Sequence, residues 1–149
     1  MEIVKNNPPE EFDRIIEEKA DWPTLYHLSR QRENIVEWLP LQEKKVLEVG
    51  SGCGAITGVL ARKAKKVDCV DLSKKRSLIN AYRHKDCDNV EIHVGNFKDV
   101  EPVLSSDYDY ILLIGVLEYA DSYIGGRSPQ EEFLRILKAH LGKNGRLVI

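Results

Sequence analysis

A glycine-rich turn that follows a short apolar segment is the part of this sequence best suited to holding a ligand. The apolar segment is Val46–Val49, and the turn Gly50–Gly54 reads Gly-Ser-Gly-Cys-Gly. Glycine allows the backbone angles of a tight turn and lets a ligand come close to the main chain. The helix predicted after the turn would add free N–H groups at its start. Glu48 precedes the first glycine by two positions and would place a carboxylate beside such a ligand.

An aspartate at the end of the next predicted strand extends this interpretation. Asp71 follows Val67–Val70 and lies 21 residues after Gly50. In open α/β sheets, an acidic side chain at this place accepts hydrogen bonds from the hydroxyls of a ribose. The sequence therefore predicts a nucleoside ligand. The same spacing serves nicotinamide dinucleotides, so Asp71 alone leaves the kind of nucleoside open.

The segments around these residues alternate between strand and helix patterns. The predicted strands are Val46–Val49, Val67–Val70, Val90–Val94, Tyr110–Ile114 and Arg146–Ile149. One predicted helix follows the glycine turn, and another runs from Ser73 to about Arg83 and is expected to bury Leu78, Ile79 and Tyr82. A third begins at Ser128 with Pro129 and a capping-box glutamate, Glu131, and a turn over residues 143–145 is predicted between it and the fifth strand. Strands that alternate with helices pair in parallel with right-handed crossovers. We therefore expect a doubly wound α/β sheet with helices on both faces.

The chain divides near residue 42 into two parts. Residues 1–42 are predicted to form an N-terminal helical cap, with a helix starting near Pro9 and an apolar helical stripe from Leu25 to Leu39. Residues 43–149 carry the alternation of strands and helices and form the predicted core. The fifth strand ends the sequence as a bare apolar edge, which invites pairing. We therefore expect a fragment of a longer protein, or a partner such as a second copy that covers this edge.

The stretch from Glu48 to Gly54 resembles motif I of the class I S-adenosylmethionine-dependent methyltransferases, Glu/Asp-x-Gly-x-Gly-x-Gly. Dinucleotide-binding domains carry Gly-x-Gly-x-x-Gly instead. Three later segments resemble the same family in the same order, namely Gly95–Phe97, Asp107–Tyr119 and Leu137–Leu147. The resemblance implies a Rossmann-like methyltransferase core with strand order 3-2-1-4-5 that lacks the last strands, and S-adenosylmethionine as its cofactor. A dinucleotide-binding domain and a non-catalytic S-adenosyl-binding module are the alternatives.

The resemblance also implies a role for each matching residue. Glu48 would meet the amine of the methionine end, Asp71 the ribose hydroxyls and Leu72 the adenine ring. Asn96 stands where aspartate is commoner, and its amide oxygen can still accept a hydrogen bond from the adenine amino group. The predicted cofactor-binding residues are Glu48, Gly50, Ser51, Gly52, Asp71, Leu72, Asn96, Phe97, Gly115 and Arg32.

The segment Tyr26–Ile35 resembles the one that precedes methyltransferase domains found beside bacterial glycosyltransferases for surface-polysaccharide assembly. In that setting Arg32 would clamp the methionine carboxylate, because arginine binds carboxylates through two parallel hydrogen bonds. A solvated helix charge is an equal alternative for Arg32. The acceptor would be a small molecule or a sugar or glycan, and a base is needed only for a hydroxyl-like acceptor. The catalytic base is left unassigned, with Glu118, Tyr119 and His27 as candidates.

Bulk properties argue against several other classes of function. The 149 residues carry a net charge of −2, which gives no sign of nucleic-acid binding. The longest apolar run, Tyr110–Leu117, is too short to cross a membrane, and the N-terminus lacks an apolar signal core. A cytoplasmic protein without a nucleic-acid or membrane partner is therefore expected. The three cysteines have neither zinc-binding nor disulfide spacing, so no metal site is predicted.

Overall fold

The computed structural model describes residues 2–149 and contains a five-stranded parallel sheet. The strands are β1 (Lys45–Val49), β2 (Lys66–Asp71), β3 (Val90–Val94), β4 (Tyr108–Leu112) and β5 (Leu141–Val148). They are arranged in the order β3-β2-β1-β4-β5, and every neighbouring pair is parallel. Both the predicted fold class and the predicted strand order are confirmed.

Helices cover both faces of this sheet. They are α1 (Glu2–Asn6), α2 (Phe12–Lys19), α3 (Trp22–Leu28), α4 (Thr57–Lys63), α5 (Lys74–Arg83), α6 (Phe97–Val100), α7 (Ala120–Tyr123) and α8 (Pro129–His140). On one face Leu47 of β1 packs in a cluster with Phe133 and Leu137 of α8. On the other face Val46 of β1 packs in a cluster with Leu60 of α4. All these side chains are buried, so the strand-to-helix alternation gives one core layer on each side of the sheet.

The N-terminal cap differs from the continuous helical stripe that was predicted from Leu25 to Leu39. Helix α3 ends at Leu28, and a short 3-10 helix follows over Arg30–Ile35. Ser29 separates the two because it adopts an extended conformation, and its hydroxyl accepts a hydrogen bond from the Gln31 N–H at 3.2 Å. The prediction of one continuous helix was therefore wrong, because a serine cap interrupts the apolar stripe.

The last two strands also differ in their bounds from the prediction. Strand β4 begins at Tyr108 and ends at Leu112, whereas Tyr110–Ile114 was predicted. Strand β5 starts directly after α8 and includes the segment predicted as a turn, with a register shift opposite Tyr108 and Tyr110. A Cβ atom on Gly145 would lie 2.6 Å from the Tyr108 carbonyl oxygen. The absence of a side chain at Gly145 thus allows β5 to approach β4 at this irregular position.

Helix α8 begins at Pro129 as predicted, but its predicted cap is not formed. The Ser128 side chain makes no capping hydrogen bond, and only its carbonyl oxygen accepts one, from the Glu132 N–H at 3.0 Å. Within residues 2–149, every helix falls short of the length and apolar character that crossing a membrane requires.

Candidate cofactor site

The glycine-rich turn after β1 has a backbone that requires glycine at two of its positions. Gly50 and Gly54 have φ angles of +75° and +78°, in the left-handed region that L side chains rarely adopt. A Cβ atom on Gly50 would overlap the Val116 side chain, and one on Gly54 would lie 2.8 Å from His84 Cε1. Helix α4 begins only at Thr57 and not directly after the glycines. The turn is therefore tightly packed from both sides.

A cavity of about 530 Å³ opens beside this turn, at the carboxyl ends of β1, β2 and β4. The sheet order changes direction between β1 and β4, which is where open α/β sheets bind their ligands. Seven of the predicted cofactor-binding residues line the cavity: Arg32, Glu48, Gly50, Ser51, Gly52, Asp71 and Gly115. All three candidates for a catalytic base line it too: His27, Glu118 and Tyr119.

Asp71 is buried at the end of β2 and holds the turn in place. One carboxylate oxygen accepts a hydrogen bond from the Gly52 N–H at 2.9 Å, and the other accepts one from the Ser73 N–H at 2.8 Å. The guanidinium of Arg76 forms an ion pair with the same carboxylate at 3.1 Å. A ribose bound at Asp71 would therefore share its carboxylate with these donors or displace Arg76, the one side-chain donor among them.

Glu48 is a buried residue of the cavity lining and belongs to a small polar network. Its carboxylate accepts hydrogen bonds from the Thr57 hydroxyl at 2.6 Å and from the Cys69 thiol at 3.5 Å. The Asn80 amide in turn donates to the Thr57 hydroxyl at 3.1 Å. Burial raises the pKa of Glu48 to about 7, and these hydrogen bonds oppose the rise. A cation that binds next to Glu48 would favour its ionised form.

The N-terminal cap closes one side of the cavity with three polar or aromatic residues, Tyr26, His27 and Arg32. The Arg32 guanidinium lies over the Tyr26 ring, 4.2 Å from its centroid, so its head is held at the cavity wall. Burial lowers the pKa of His27, and the nearby charges of Arg76 and Arg32 lower it further. His27 is thus held in its neutral form near neutral pH.

Three predicted cofactor-binding residues lie outside the main cavity. Leu72 and Phe97 border a small adjoining hollow that shares Asp71 with the cavity wall. Leu72 is half exposed, whereas Phe97 is buried and packs against Phe133 with 5.0 Å between ring centroids. The Asn96 side chain accepts a hydrogen bond from the Lys98 N–H at 3.1 Å and caps α6. Contacts between these three residues and adenine stay predictions.

Arg76 and Arg83 are site residues that the sequence analysis did not identify. Both lie on α5, whose inner face was predicted to bury Leu78, Ile79 and Tyr82. The structure instead buries Ser77 and Asn80, while Leu78 and Tyr82 are exposed. The inner face of α5 is polar because it packs against the glycine-rich turn and Thr57. Apolar periodicity carries no signal for such a face, so these arginines could not have been found from it.

A parallel sheet with a cavity at its switch point defines a Rossmann-like α/β ligand-binding domain. The family comparison makes this assignment specific. A family model described as a methyltransferase domain matches residues 47–147, and the chain belongs to this family. The match spans most of β1, the glycine-rich turn, Asp71 and most of β5.

Solved structures of similar fold support the same architecture. A SAM-dependent methyltransferase from Aquifex aeolicus has a TM-score of 0.63 at 17% identity, and the match covers 95% of this chain and 71% of that one. A SAM-dependent methyltransferase from Thiobacillus denitrificans, solved with S-adenosyl-L-homocysteine, has a TM-score of 0.58 at 17% identity, with coverages of 79% and 46%. Precorrin 8W decarboxylase from Methanobacterium thermoautotrophicum has a TM-score of 0.61 at 22% identity, with coverages of 78% and 60%.

The chain thus spans less than two thirds of the length of the last two proteins. Identities this low show a shared fold. No curated protein sequence matches the chain.

Proposed function

We propose that this chain binds S-adenosylmethionine and transfers its methyl group to a small-molecule or sugar acceptor. The observation that carries the proposal is that Glu48, Asp71 and residues 50–53 of the glycine-rich turn all line one cavity. Membership of the methyltransferase domain family supports it. So does the S-adenosyl-L-homocysteine bound in the Thiobacillus denitrificans protein, which has the same fold.

The charges around the cavity suit the two ends of this cofactor. Its methionine end is a zwitterion, and the cavity wall offers Glu48 for the ammonium and Arg32 for the carboxylate. Its sugar end has two hydroxyls, which can donate hydrogen bonds to the Asp71 carboxylate. A dinucleotide would instead bring a pyrophosphate to the turn, beside the Glu48 carboxylate. The like charge of an ionised Glu48 opposes that ligand.

The protein's contribution to methyl transfer would be mainly positioning and exclusion of water. The bound sulfonium supplies an already activated methyl group, so the reaction is an in-line displacement that depends on alignment of the acceptor. A hydroxyl acceptor would also have to lose a proton. Of the three candidates, His27 has a lowered pKa and is therefore neutral and able to accept one. Glu118 and Tyr119 are exposed residues of the same cavity lining and remain candidates for contacts with the acceptor.

Calorimetric titration with S-adenosylhomocysteine and with NAD⁺ tests the proposed cofactor. We expect one molecule of S-adenosylhomocysteine to bind per chain and NAD⁺ to bind far more weakly. Asp71→Asn should weaken S-adenosylhomocysteine binding by about tenfold or more, since a hydrogen bond to a charged group contributes about 1.5–3 kcal/mol. Asp88→Asn, an exposed aspartate away from the cavity, is the matched control and should bind like the wild type.

Tighter binding of NAD⁺ would contradict the assignment. A module that binds S-adenosylhomocysteine but never transfers a methyl group is distinguished by a methyl-transfer assay with labelled S-adenosylmethionine and panels of small-molecule and sugar acceptors.

A further inference from the structure

A second group of chemically active side chains lies on β2 and β3, outside the cavity lining. It contains Asp68 of β2 and Glu91 and His93 of β3. Asp68 is paired in register with Glu91, and His93 follows two residues later on the same side of its strand. His93 Nε2 lies 3.7 Å from Glu91 Oε1 and 4.0 Å from Asp68 Oδ1. The three side chains can therefore direct one ligand atom each at a common point.

Asp68 is the buried member of this group, and only one of its oxygens is satisfied by a hydrogen bond. The Tyr108 hydroxyl donates to Oδ2 at 2.6 Å and fixes the orientation of the carboxylate. Oδ1 is buried and has no hydrogen-bond partner. The Lys66 ammonium lies 3.3 Å from Oδ1 without hydrogen-bond geometry. It directs its hydrogen bond to Glu91 at 3.1 Å instead. A buried carboxylate oxygen whose nearest cation is an ammonium at this distance is incompletely satisfied, so a cation that binds closer to it would be favoured.

We propose that Asp68, Glu91 and His93 bind a divalent transition-metal ion, with Zn²⁺ as the best match, in exchange for the Lys66 ammonium. One imidazole nitrogen and two carboxylate oxygens suit Zn²⁺, whereas Mg²⁺ and Ca²⁺ prefer oxygen ligands alone. Ligand atoms about 2.0–2.2 Å from a tetrahedral ion lie about 3.4 Å from one another. The present separations of 3.7 and 4.0 Å would have to shorten by about 0.3 and 0.6 Å. The Asp68 and Glu91 ligand atoms, which lie within 4.8 Å of each other, would also have to move closer together.

The surroundings of the group allow an ion to enter and to complete its coordination. The side chain of Glu91 is 57% exposed and that of His93 is 18% exposed, so water can supply the fourth ligand. Tyr108 would act as an outer partner that orients a ligating carboxylate, a role that commonly supports metal affinity. Because the ion would join β2 to the edge strand β3, it would stabilise the sheet. The site is independent of the proposed methyl transfer, since none of its three residues lines the cavity.

The test is a titration of the chelator-treated chain with ZnCl₂ by calorimetry, with melting curves recorded in parallel, and a titration with CoCl₂ followed by visible absorption. We expect one ion per chain, a rise in melting temperature with Zn²⁺, and Co²⁺ bands without a sulfur-to-metal charge-transfer band. His93→Gln and Glu91→Gln should abolish these effects. Tyr108→Phe should weaken binding by about 10–100-fold. Lys66→Met should strengthen it, because the competing cation is removed.

Two matched controls separate this site from adventitious binding. Cys87→Ser removes the least buried thiol, and Asp88→Asn removes an exposed carboxylate, so both should bind Zn²⁺ like the wild type. Circular dichroism checks that each variant is folded, and the exposed position of Glu91 makes Glu91→Gln the safest of the ligand variants. The proposal would be overturned if His93→Gln and Glu91→Gln bound Zn²⁺ with wild-type affinity, or if Cys87→Ser no longer bound it. So would the absence of one-to-one binding in both the wild type and Lys66→Met.

Discussion

The guanidinium of Arg83 donates a hydrogen bond to the carbonyl oxygen of Cys53 at 2.9 Å, which connects α5 to the glycine-rich turn. The same nitrogen donates to the carbonyl oxygen of His27 at 2.8 Å, so it also reaches the N-terminal cap. One partly buried side chain thus joins three parts of the chain that are remote in sequence. This arginine therefore helps to hold the cap over the cavity.

Replacement of Arg83 by methionine should therefore affect both stability and ligand binding. Hydrogen bonds from a charged group contribute about 1.5–3 kcal/mol, and we expect a loss of that size in the free energy of unfolding. Affinity for S-adenosylhomocysteine should fall as well, because both the turn and the cap lose their anchor. Urea unfolding and calorimetry measure the two effects. Arg135→Met, which removes an exposed ion pair with Glu132, is the control and should change neither; an Arg83→Met protein as stable as the wild type would contradict the anchoring role.

Arg32 is expected to bind the carboxylate of the methionine end, and a truncated ligand isolates this contact. Arg32→Gln should weaken binding of S-adenosylhomocysteine by about tenfold or more, because a charge-assisted bidentate pair is lost. Binding of 5′-methylthioadenosine, which lacks the amino-acid end, should stay unchanged. Arg30→Gln is the neighbouring control, since Arg30 is exposed and does not line the cavity. Equal losses for the two ligands would instead indicate a structural role for Arg32 in the cap.

The raised pKa of Glu48 predicts a pH dependence of cofactor binding. In the free protein, Glu48 is mostly protonated at pH 6 and mostly ionised at pH 8, because its pKa is about 7. If the bound ammonium requires the ionised form, affinity for S-adenosylhomocysteine should rise by about tenfold between these pH values. Glu48→Gln should bind more weakly and lose this dependence. Calorimetry in buffers of different ionisation enthalpy should also detect proton release on binding to the wild type; a flat profile would exclude Glu48 as the ammonium partner.

The raised pKa of Glu48 also affects stability. Its contribution to stability should fall as the pH rises, whereas cofactor affinity should increase. A carboxyl group whose pKa is raised from 4.5 to about 7 on folding favours the folded state most at low pH. That contribution is lost as the pH rises from about 4.5 to about 7 and stays lost above it. As the pH rises through this interval, the unfolding free energy of Glu48→Gln should therefore increase relative to that of the wild type. Urea unfolding at pH 5 and pH 8 measures the change, and a constant difference between the two proteins would contradict it.

Alanine variants of two glycines with positive φ angles distinguish the cost of backbone strain from the cost of steric crowding. Gly54→Ala adds a methyl group that would lie 2.8 Å from His84 Cε1, in addition to the strain of a φ of +78°. We expect this variant to lose about 2 kcal/mol or more of unfolding free energy. Gly126 has a φ of +94°, but a Cβ atom there meets nothing within 4 Å. Gly126→Ala should therefore cost less, and equal losses would show that the turn is not tightly packed.

The alternation of strands and helices and the glycine-rich turn could be predicted because each depends on residues close together in the sequence, whereas the strand order was implied by the resemblance to the methyltransferase family. Gly50, Glu48 and Asp71 stand at strand ends, where parallel topology brings them to one edge of the sheet. The polar inner face of α5 could not be predicted in the same way, because apolar periodicity describes only faces that meet an apolar core. Arg83 therefore passed unrecognised, although it contacts two parts of the candidate site.

Contacts between distant polar side chains were equally invisible in the sequence. The hydrogen bond from Tyr108 to Asp68 joins residues that are 40 positions apart. Cysteine spacing carries no signal for a metal site formed by a histidine and two carboxylates on neighbouring strands. The break of the cap at Ser29 shows a third limit, since one serine with its own capping hydrogen bond outweighed an apolar helical stripe.

A crystal structure of the full chain grown with S-adenosylhomocysteine tests the cofactor site most directly. We expect the ligand in the cavity beside the glycine-rich turn, with its ribose hydroxyls on Asp71, its ammonium near Glu48 and its carboxylate near Arg32. An empty cavity at saturating ligand, or the ligand bound elsewhere with Asp71 still paired to Arg76, would contradict the assignment.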